Sequence, residues 1–255
     1  MRHLCWVFAV VLFWARPVWA GPPELFRSVV DARDADSLVV YYEFGAGGFY
    51  FSRDAGQRFE LLCTSAIDPK ISDGQVWAMR ERPDGRLLLG LFDRLLISDA
   101  NKCSWSEVPE FAGRWVSDIV RDPEDAAASY AVTSSGAGDN GLYRNDGKSE
   151  TWTRIGEATP DFLTRLHVVK TASGVRMYAS AAQPAQSAGQ RPRYYLRVSD
   201  DRGKTWTNHE FGETDGSMRL LAVDPTDPDR IVAVVQRPET RKPDDVLVST
   251  KRGEA

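Results

Sequence analysis

The stretch SDDRGKTW, residues 199–206, decides the fold because its pattern recurs along the chain. Residues 52–59, SRDAGQRF, carry the same order, Ser-x-Asp-x-Gly-x-x-aromatic. The matching positions are Ser52, Asp54, Gly56 and Phe59 in the first copy and Ser199, Asp201, Gly203 and Trp206 in the second. Serine and aspartate side chains bond free backbone N–H groups in tight turns, and glycine adopts the positive φ that such turns need. We therefore interpret these stretches as structural turns and name them repeat turns.

Three further copies of the repeat turn follow the same frame. The five copies begin at Ser52, Ser98, Asn145, Ser199 and Ser249, which stand 46 to 54 residues apart. In four of them an aromatic follows seven positions later, at Phe59, Trp105, Trp152 and Trp206. The fifth keeps its glycine, Gly253, and its aromatic would fall one position beyond Ala255. In copies two and three, Ala100 and Gly147 replace the aspartate and Lys102 and Ser149 replace the glycine, yet the frame is kept. This spacing indicates an internal repeat of one supersecondary unit.

Each repeat contains up to four short β-strands. Runs such as SLVVYYEF, RLLLGLF and RIVAVVQ are separated by polar or glycine-rich turns, and helical periodicity is absent. The pattern predicts an all-β propeller of four-stranded antiparallel blades. We expect a single propeller domain, 21–255, with blades at about 24–63, 74–108, 115–155, 163–211 and 217–255. The last blade would lack its fourth strand. A truncated reading of a longer propeller is favoured over a complete five-bladed ring.

The repeat turns resemble the Asp-box, or bacterial neuraminidase repeat (BNR), of a superfamily of β-propellers. That resemblance covers nearly all of the chain after residue 20. It implies that each turn joins the third and fourth strands of a blade and that the aromatic packs on its own blade. The superfamily includes sialidases, xyloglucanases, photosystem II assembly factors and sortilin-like receptors. The resemblance therefore specifies a fold and leaves the activity open.

The first 20 residues have the features of a secretory signal peptide. Arg2 precedes an apolar run from Leu4 to Trp14, which is too short to span a bilayer, and Ala20 ends a small-residue cleavage site. An uncleaved N-terminal anchor is the alternative. Cleavage would remove Arg2 and Arg16 and leave 30 basic against 36 acidic residues. We expect a secreted or periplasmic protein without membrane insertion, and the acidic balance argues against nucleic acid as a partner.

Two cysteines remain after the leader, Cys63 and Cys103. An exported chain in an oxidising compartment usually pairs its thiols, so a disulfide is favoured over two free cysteines. Their positions argue against it, because Cys63 falls in a fourth strand and Cys103 in the next repeat turn. No histidine or cysteine stands at metal-ligand spacing, and no cofactor fingerprint occurs, so neither a metal nor a cofactor is expected.

The loops opposite the repeat turns are the expected binding surface, because loops at one end of a rigid scaffold commonly carry function. Two of these loops are rich in basic residues, namely Arg191, Arg193, Arg237, Arg241 and Lys242. A local basic patch for an anionic or sugar ligand is one interpretation. Solvated loop charge is the other.

Two functions remain open. The first is a non-catalytic propeller that binds a protein or glycan through its loop face. The second is a glycoside hydrolase of the sialidase or xyloglucanase type. The resemblance implies an arginine motif near the N-terminus for sialidases, and here only Phe26 and Arg27 match it. No spacing nominates the carboxylate pair that glycoside hydrolysis needs. The sequence thus favours the binding protein, and its catalytic residues, if any, are unknown.

Overall fold

The computed structural model describes residues 25–30, 34–42, 48–63, 67–68, 71, 76–185, 187, 190, 192–210, 217–236 and 245–254. The predicted leader lies outside these ranges, so its cleavage stays a prediction. Within them no helix is long and apolar enough to cross a membrane.

The described chain forms five antiparallel sheets. The first holds β1 (Leu25–Val30), β2 (Leu38–Tyr42), β3 (Gly48–Ser52) and β4 (Glu60–Cys63). The second holds β5 (Ala78–Glu81), β6 (Leu87–Gly90), β7 (Leu95–Ser98) and β8 (Trp105–Glu107), followed by a short 3-10 helix, Pro109–Phe111. The third holds β9 (Val116–Arg121), β10 (Ser129–Thr133), β11 (Asn140–Asn145) and β12 (Thr153–Thr159). The fourth holds β13 (Phe162–Thr171), β14 (Gly174–Gln183), β15 (Arg193–Ser199) and β16 (Thr207–Glu210). The fifth holds β17 (Ser217–Val223), β18 (Ile231–Gln236) and β19 (Asp245–Ser249).

Every sheet is a simple meander in which each strand pairs with its neighbour in sequence. The first strand of each sheet contacts the first strand of the next, in the order β1, β5, β9, β13 and β17. Sheets arranged in this way radiate from a shared axis lined by their first strands. The predicted β-propeller fold is confirmed, with three strands in the fifth sheet among the described residues.

The hydrophobic core is divided into clusters between successive sheets. The middle strands β6 and β7 illustrate the reason. Leu87, Leu88 and Leu89 are consecutive and all buried, and so are Leu95 and Leu96. A strand with a neighbouring sheet on both faces buries residues of both orientations, so its sequence is a continuous apolar run instead of an alternating one.

The repeat turn at residues 199–206 is held by its own side chains. Ser199 Oγ accepts a hydrogen bond from Gly203 N at 2.8 Å and donates one to Asp201 Oδ1 at 2.8 Å. Asp201 Oδ1 also accepts from Thr205 N at 2.9 Å. Gly203 has φ +84°, and a Cβ there would lie 2.2 Å from Leu142 Cδ2. Glycine is therefore required for both its conformation and its size.

The first and fifth copies repeat this serine-to-glycine bond. Gly56 N donates to Ser52 Oγ at 2.9 Å, and Gly253 N donates to Ser249 Oγ at 3.0 Å. In the first copy Asp54 Oδ1 accepts from Ser52 Oγ at 2.9 Å and from Arg58 N at 2.8 Å. These three turns share the serine-to-glycine hydrogen bond, although the fifth has Lys251 at the aspartate position.

The second and third copies close with different partners. In the second, Asp99 Oδ1 accepts from Cys103 N at 2.8 Å, while Ser98 Oγ accepts from Leu87 N at 2.8 Å. In the third, Asn145 Nδ2 donates to the carbonyls of Ser149 and Thr151. The substituted turns are therefore closed by other polar side chains, Asp99 in the second copy and Asn145 in the third.

The aromatics of the repeat turns lie between sheets. Trp105, Trp152 and Trp206 each join a cluster formed by their own sheet and the preceding one. The first sheet has no preceding sheet among the described residues, and Phe59 is 46% exposed. The expectation that each aromatic packs on its own blade is thus incomplete, because residues of the preceding sheet belong to the same clusters.

The disulfide favoured by the sequence is not formed in the structure. Cys103 is an exposed free thiol, and its Sγ lies 3.5 Å from the Asn101 carbonyl oxygen of its own turn. The side chain of Cys63 lies outside the described part. The positions of the two cysteines in the sequence also argue against a disulfide, because Cys63 ends a fourth strand while Cys103 belongs to a repeat turn.

Candidate functional site

The basic loop residues predicted from the sequence fall mostly outside the described chain. Arg191, Arg237, Arg241 and Lys242 lie there. Arg193 opens β15, and its exposed guanidinium pairs with the Glu210 carboxylate on β16. The charge of Arg193 therefore has an acidic partner, and the basic patch stays a prediction.

The two ends of the blades carry different kinds of chain connection. In an antiparallel meander successive connections alternate between ends, so the links β4–β5, β6–β7, β8–β9 and β10–β11 lie together. The repeat turns lie at the other end. We call the first the loop end and the second the turn end.

Three aromatic side chains meet at the loop end of the second and third blades. Trp77 precedes β5, Phe92 lies between β6 and β7, and Trp115 precedes β9. The ring centroids of Trp77 and Trp115 are 4.8 Å apart, and those of Phe92 and Trp115 are 5.3 Å apart and stacked. Phe92 is 57% exposed, whereas both tryptophans are partly buried. We name these three residues the aromatic trio.

The backbone holds the aromatic trio in place. Trp77 N donates to the Gly90 carbonyl at 2.8 Å, and Trp115 N donates to Ser135 Oγ at 2.8 Å. The Trp115 carbonyl accepts from Ser134 N at 2.9 Å. The indole Nε1 of Trp115 is buried and has no hydrogen-bond partner within the described residues. These hydrogen bonds hold the backbones of both tryptophans, and Phe92 stacks on Trp115, so the three rings form one apolar surface.

Ion pairs flank the aromatic trio on the third blade. Asp139 Oδ2 lies 2.5 Å from Arg114 Nη2, and Asp139 Oδ1 lies 2.7 Å from Arg154 Nη2. Hydrogen bonds from Arg114 and Arg154 hold the pKa of Asp139 below its ordinary value. Arg154 also lies over the ring of Tyr143, at 5.3 Å from its centroid. A carboxylate held ionised in this way is poorly suited to act as a general acid.

A second ion-pair group flanks the trio on the second blade. The Arg94 side chain is 6% exposed and lies 2.7 Å from Asp93 Oδ2 and 2.8 Å from Asp68 Oδ2. Asp93 follows Phe92 directly. The loop end thus combines an apolar patch with charged groups that already have partners.

A cavity of about 500 Å³ lies among the first strands, and we call it the central channel. Its ionisable lining residues are Arg80 on β5, Asp118 and Arg121 on β9, Arg165 and His167 on β13, and Arg219 on β17. Among the described residues, Asp118 is the one carboxylate in this lining. The channel therefore concentrates positive charge in a protein whose net charge is −4.

The Asp118 carboxylate is already engaged. Oδ1 accepts from Ile119 N at 3.0 Å, and Oδ2 accepts from Leu166 N at 3.0 Å. Its nearest recorded ion pair is with Arg165 Nη1 at 3.8 Å. Burial lowers the pKa of His167, with Asp118 opposing that shift, so His167 is neutral at pH 7.

Sequence reasoning overlooked both the aromatic trio and the central channel. A signal for the channel was present, because each of the five first strands contains an arginine: Arg27, Arg80, Arg121, Arg165 and Arg219. The trio carried no comparable signal, since its members come from three separate connections. Among the described residues no group of three acidic, histidine or cysteine side chains is placed to hold a metal ion.

Solved structures show what this fold is similar to, although neither a protein-family model nor a curated protein matches the chain. A GH74 xyloglucanase from Xanthomonas campestris is 20% identical, with a TM-score of 0.65 over 90% of this chain and 37% of the enzyme. YCF48 from Cyanidioschyzon merolae is 13% identical, with a TM-score of 0.55 over 88% of this chain and 72% of that protein.

The extracellular domain of a hybrid two-component system from B. thetaiotaomicron is 17% identical, with a TM-score of 0.55 over 82% of this chain and 25% of that one. At such identities the similarity shows the fold alone. The chain spans 37% of the length of the xyloglucanase. It shares the β-propeller fold with an enzyme and with proteins of other kinds.

Proposed function

We propose that this chain is an exported, non-catalytic β-propeller of the Asp-box type that binds a protein or a glycan through its loop end. The aromatic trio carries the proposal. Phe92 is a large apolar side chain that is 57% exposed, yet it stacks on a tryptophan fixed by backbone hydrogen bonds. Rigid, partly exposed aromatics are typical anchors of recognition surfaces.

The Asp-box assignment is supported by the turns at Ser52, Ser199 and Ser249, which share the serine-to-glycine hydrogen bond. Export is supported by the features of residues 1–20 and by the similarity of the fold to the extracellular domain of a two-component system. Both assignments remain part of the proposal.

Binding is favoured over hydrolysis by the state of the carboxylates. Asp93 and Asp139, beside the trio, are each paired with arginine. Asp118 in the channel accepts two backbone N–H groups. Glycoside hydrolysis needs one carboxyl group with a raised pKa opposite a second carboxylate. The pKa of Asp139 is lowered instead of raised, because the Arg114 side chain donates a hydrogen bond to its carboxylate.

A glycoside hydrolase is the second candidate, because the chain has the fold of a xyloglucanase and places aromatic rings beside carboxylates at its loop end. Turnover of chromogenic glycosides by the purified exported chain would support this candidate. Loss of that turnover in Asp139→Asn would then replace our proposal with the hydrolase.

A matched pair of phenylalanines tests the proposed face. Phe92 at the loop end is 57% exposed and Phe59 at the turn end is 46% exposed, so Phe92→Ala and Phe59→Ala remove similar surface from opposite ends. The probes are xyloglucan and other β-glucan oligosaccharides for a glycan, and a photoreactive phenylalanine analogue at position 92 or 59 for a protein partner.

We expect Phe92→Ala to weaken binding about tenfold or more, the usual effect of removing an aromatic anchor, while Phe59→Ala binds as the wild type does. Crosslinking should likewise occur from position 92 and not from position 59. Equal effects at both positions would refute the assignment of the loop end.

A further inference from the structure

We propose that the central channel is a binding site for a divalent oxyanion of the phosphate or sulfate class. The site is separate from the aromatic trio, and the inference does not depend on what the loop end binds. It follows from the number of cations in the channel, from their burial and from the single described carboxylate that lies among them.

The cations of the channel outnumber its acids. Four arginines and one aspartate line it, which leaves a formal charge of +3 with His167 neutral. Within the described residues, no ion pair or side-chain hydrogen bond is recorded for Arg80, Arg121 or Arg219. In the described part of the lining, the one ion pair is the 3.8 Å contact between Arg165 and Asp118. The charge is therefore largely uncompensated by the protein.

Burial makes this arrangement costly without an anion. Burial lowers the pKa of Arg80, the charge of Arg121 lowers it further, and the single carboxylate of Asp118 opposes the shift without cancelling it. Arg219 is partly buried, and its Nε is buried without a hydrogen-bond partner. Desolvated cations that repel one another destabilise a fold unless an opposite charge enters between them. An anion in the channel would offset both the desolvation and the repulsion.

The chemistry of the lining selects the class of anion. Guanidinium groups present planar pairs of N–H donors that match the oxygens of phosphate and sulfate. A formal charge of +3 favours a dianion over a monovalent carboxylate, since the attraction grows with the product of the charges. The volume of about 500 Å³ exceeds that of a single small ion. The oxyanion can therefore be free or can be the pendant group of a larger molecule.

Calorimetric titration at constant ionic strength tests the proposal with inorganic sulfate, inorganic phosphate and acetate. Glucose 6-sulfate and glucose 6-phosphate, with glucose as the blank, distinguish a pendant group from a free ion. We expect saturable binding of the divalent oxyanions and much weaker binding of acetate. Tighter binding of the sugar esters than of the inorganic ions would identify a pendant group, and equal binding a free ion.

Arg80→Gln and Arg219→Gln should each weaken sulfate binding about tenfold or more, the effect expected for losing a charge-assisted hydrogen bond. Arg58→Gln is the matched control, because Arg58 is an exposed arginine at the turn end. Circular dichroism in anion-free buffer confirms that each variant is folded. Thermal unfolding adds a second readout, in which sulfate should raise the Tm of the wild type and of Arg58→Gln more than that of Arg80→Gln.

Absence of saturable binding to the wild type would overturn the proposal. Acetate binding as tight as sulfate binding would overturn it as well. So would equal losses in Arg58→Gln and Arg80→Gln, because binding would then reflect general surface charge.

Discussion

Arginines at the turn end and arginines in the central channel are placed in opposite ways. At the turn end, Arg202 Nη1 lies 3.0 Å from Asp122 Oδ2, which also accepts from Tyr130 Oη at 2.9 Å. In the channel, Arg80 and Arg219 form no ion pair with an acidic side chain of the described residues, and Asp118 acts on Arg80 only from a distance. The first arrangement uses charge to join neighbouring blades, since Arg202 belongs to the fourth repeat and Asp122 to the third.

The pattern at the turn end extends to the next pair of blades. Arg176 on β14 pairs with Asp200 and with Asp229, and Arg252 Nε lies 3.0 Å from the same Asp229. Each of these two blade interfaces thus has a buried carboxylate or guanidinium group with several partners. Turn-end charges are thus paired across blades, whereas the channel charges are the ones that we propose bind an anion.

The largest expected loss of stability comes from removing an aromatic side chain of a repeat turn. Trp152 is 4% exposed and packs against Phe111, with ring centroids 5.4 Å apart. Trp152→Ala should lower the free energy of unfolding by about 3 to 5 kcal/mol, since it leaves a large cavity between blades. Phe59→Ala, at the exposed counterpart, should cost less than about 1 kcal/mol. Urea denaturation measures both. Equal losses would contradict the packing of the repeat-turn aromatics between blades.

A smaller loss of stability is expected from changing Asp122, the carboxylate between the third and fourth blades. Asp122 is 1% exposed and accepts hydrogen bonds from Tyr130 and Arg202. Asp122→Asn keeps the size of the side chain and removes its charge, so it should cost about 2 kcal/mol through weakened charge-assisted bonds. Tyr130→Phe, which removes one of those bonds, should cost less. The thermal midpoints of the two variants check this order, and a larger loss in Tyr130→Phe would contradict it.

Acidification gives a third test of the turn end. Burial acts to raise the pKa of Asp201, but hydrogen bonds from Thr205 and Ser199 outweigh it and lower the pKa to about 2 from an ordinary 3.8. A lowered folded-state pKa contributes stability above the unfolded value, and that contribution is lost as pH falls through the folded value.

Asp201→Asn should therefore be less stable than the wild type at pH 5 and above, and the difference in Tm should shrink between about pH 4 and pH 2. Thermal unfolding at several pH values in that window measures it. A constant difference down to pH 2 would show that the ionised carboxylate does not hold the turn.

The sequence predicts the fold and the turn end because their determinants are local. The eight residues from Ser199 to Trp206 contain their own hydrogen-bond donors, acceptors and required glycine. The same pattern can therefore form the same turn wherever it recurs in the chain. The channel was missed because Arg80 and Arg219 are far apart in sequence and become neighbours only when the blades are placed around one axis. The aromatic trio was missed for the same reason.

The exposure of Phe59 shows a limit of reasoning within one repeat. Its sequence context matches that of Trp206, yet Trp206 packs on a cluster that includes Leu142 and Val132 from the preceding blade. The repeat specifies where the aromatic points, and the neighbouring blade decides whether it is buried.

One measurement tests the contrast between the two sets of arginines most directly: the free energy of unfolding of Arg202→Gln and Arg80→Gln, by urea denaturation in buffer without multivalent anions. Both variants remove one guanidinium charge. We expect Arg202→Gln to lose about 1 kcal/mol, because hydrogen bonds to Asp122 are broken. Arg80→Gln should stay within about 0.5 kcal/mol of the wild type or exceed its stability, because repulsion from Arg121 is relieved. A loss in Arg80→Gln as large as that in Arg202→Gln would show that the channel arginines hold the fold together, and would contradict the account.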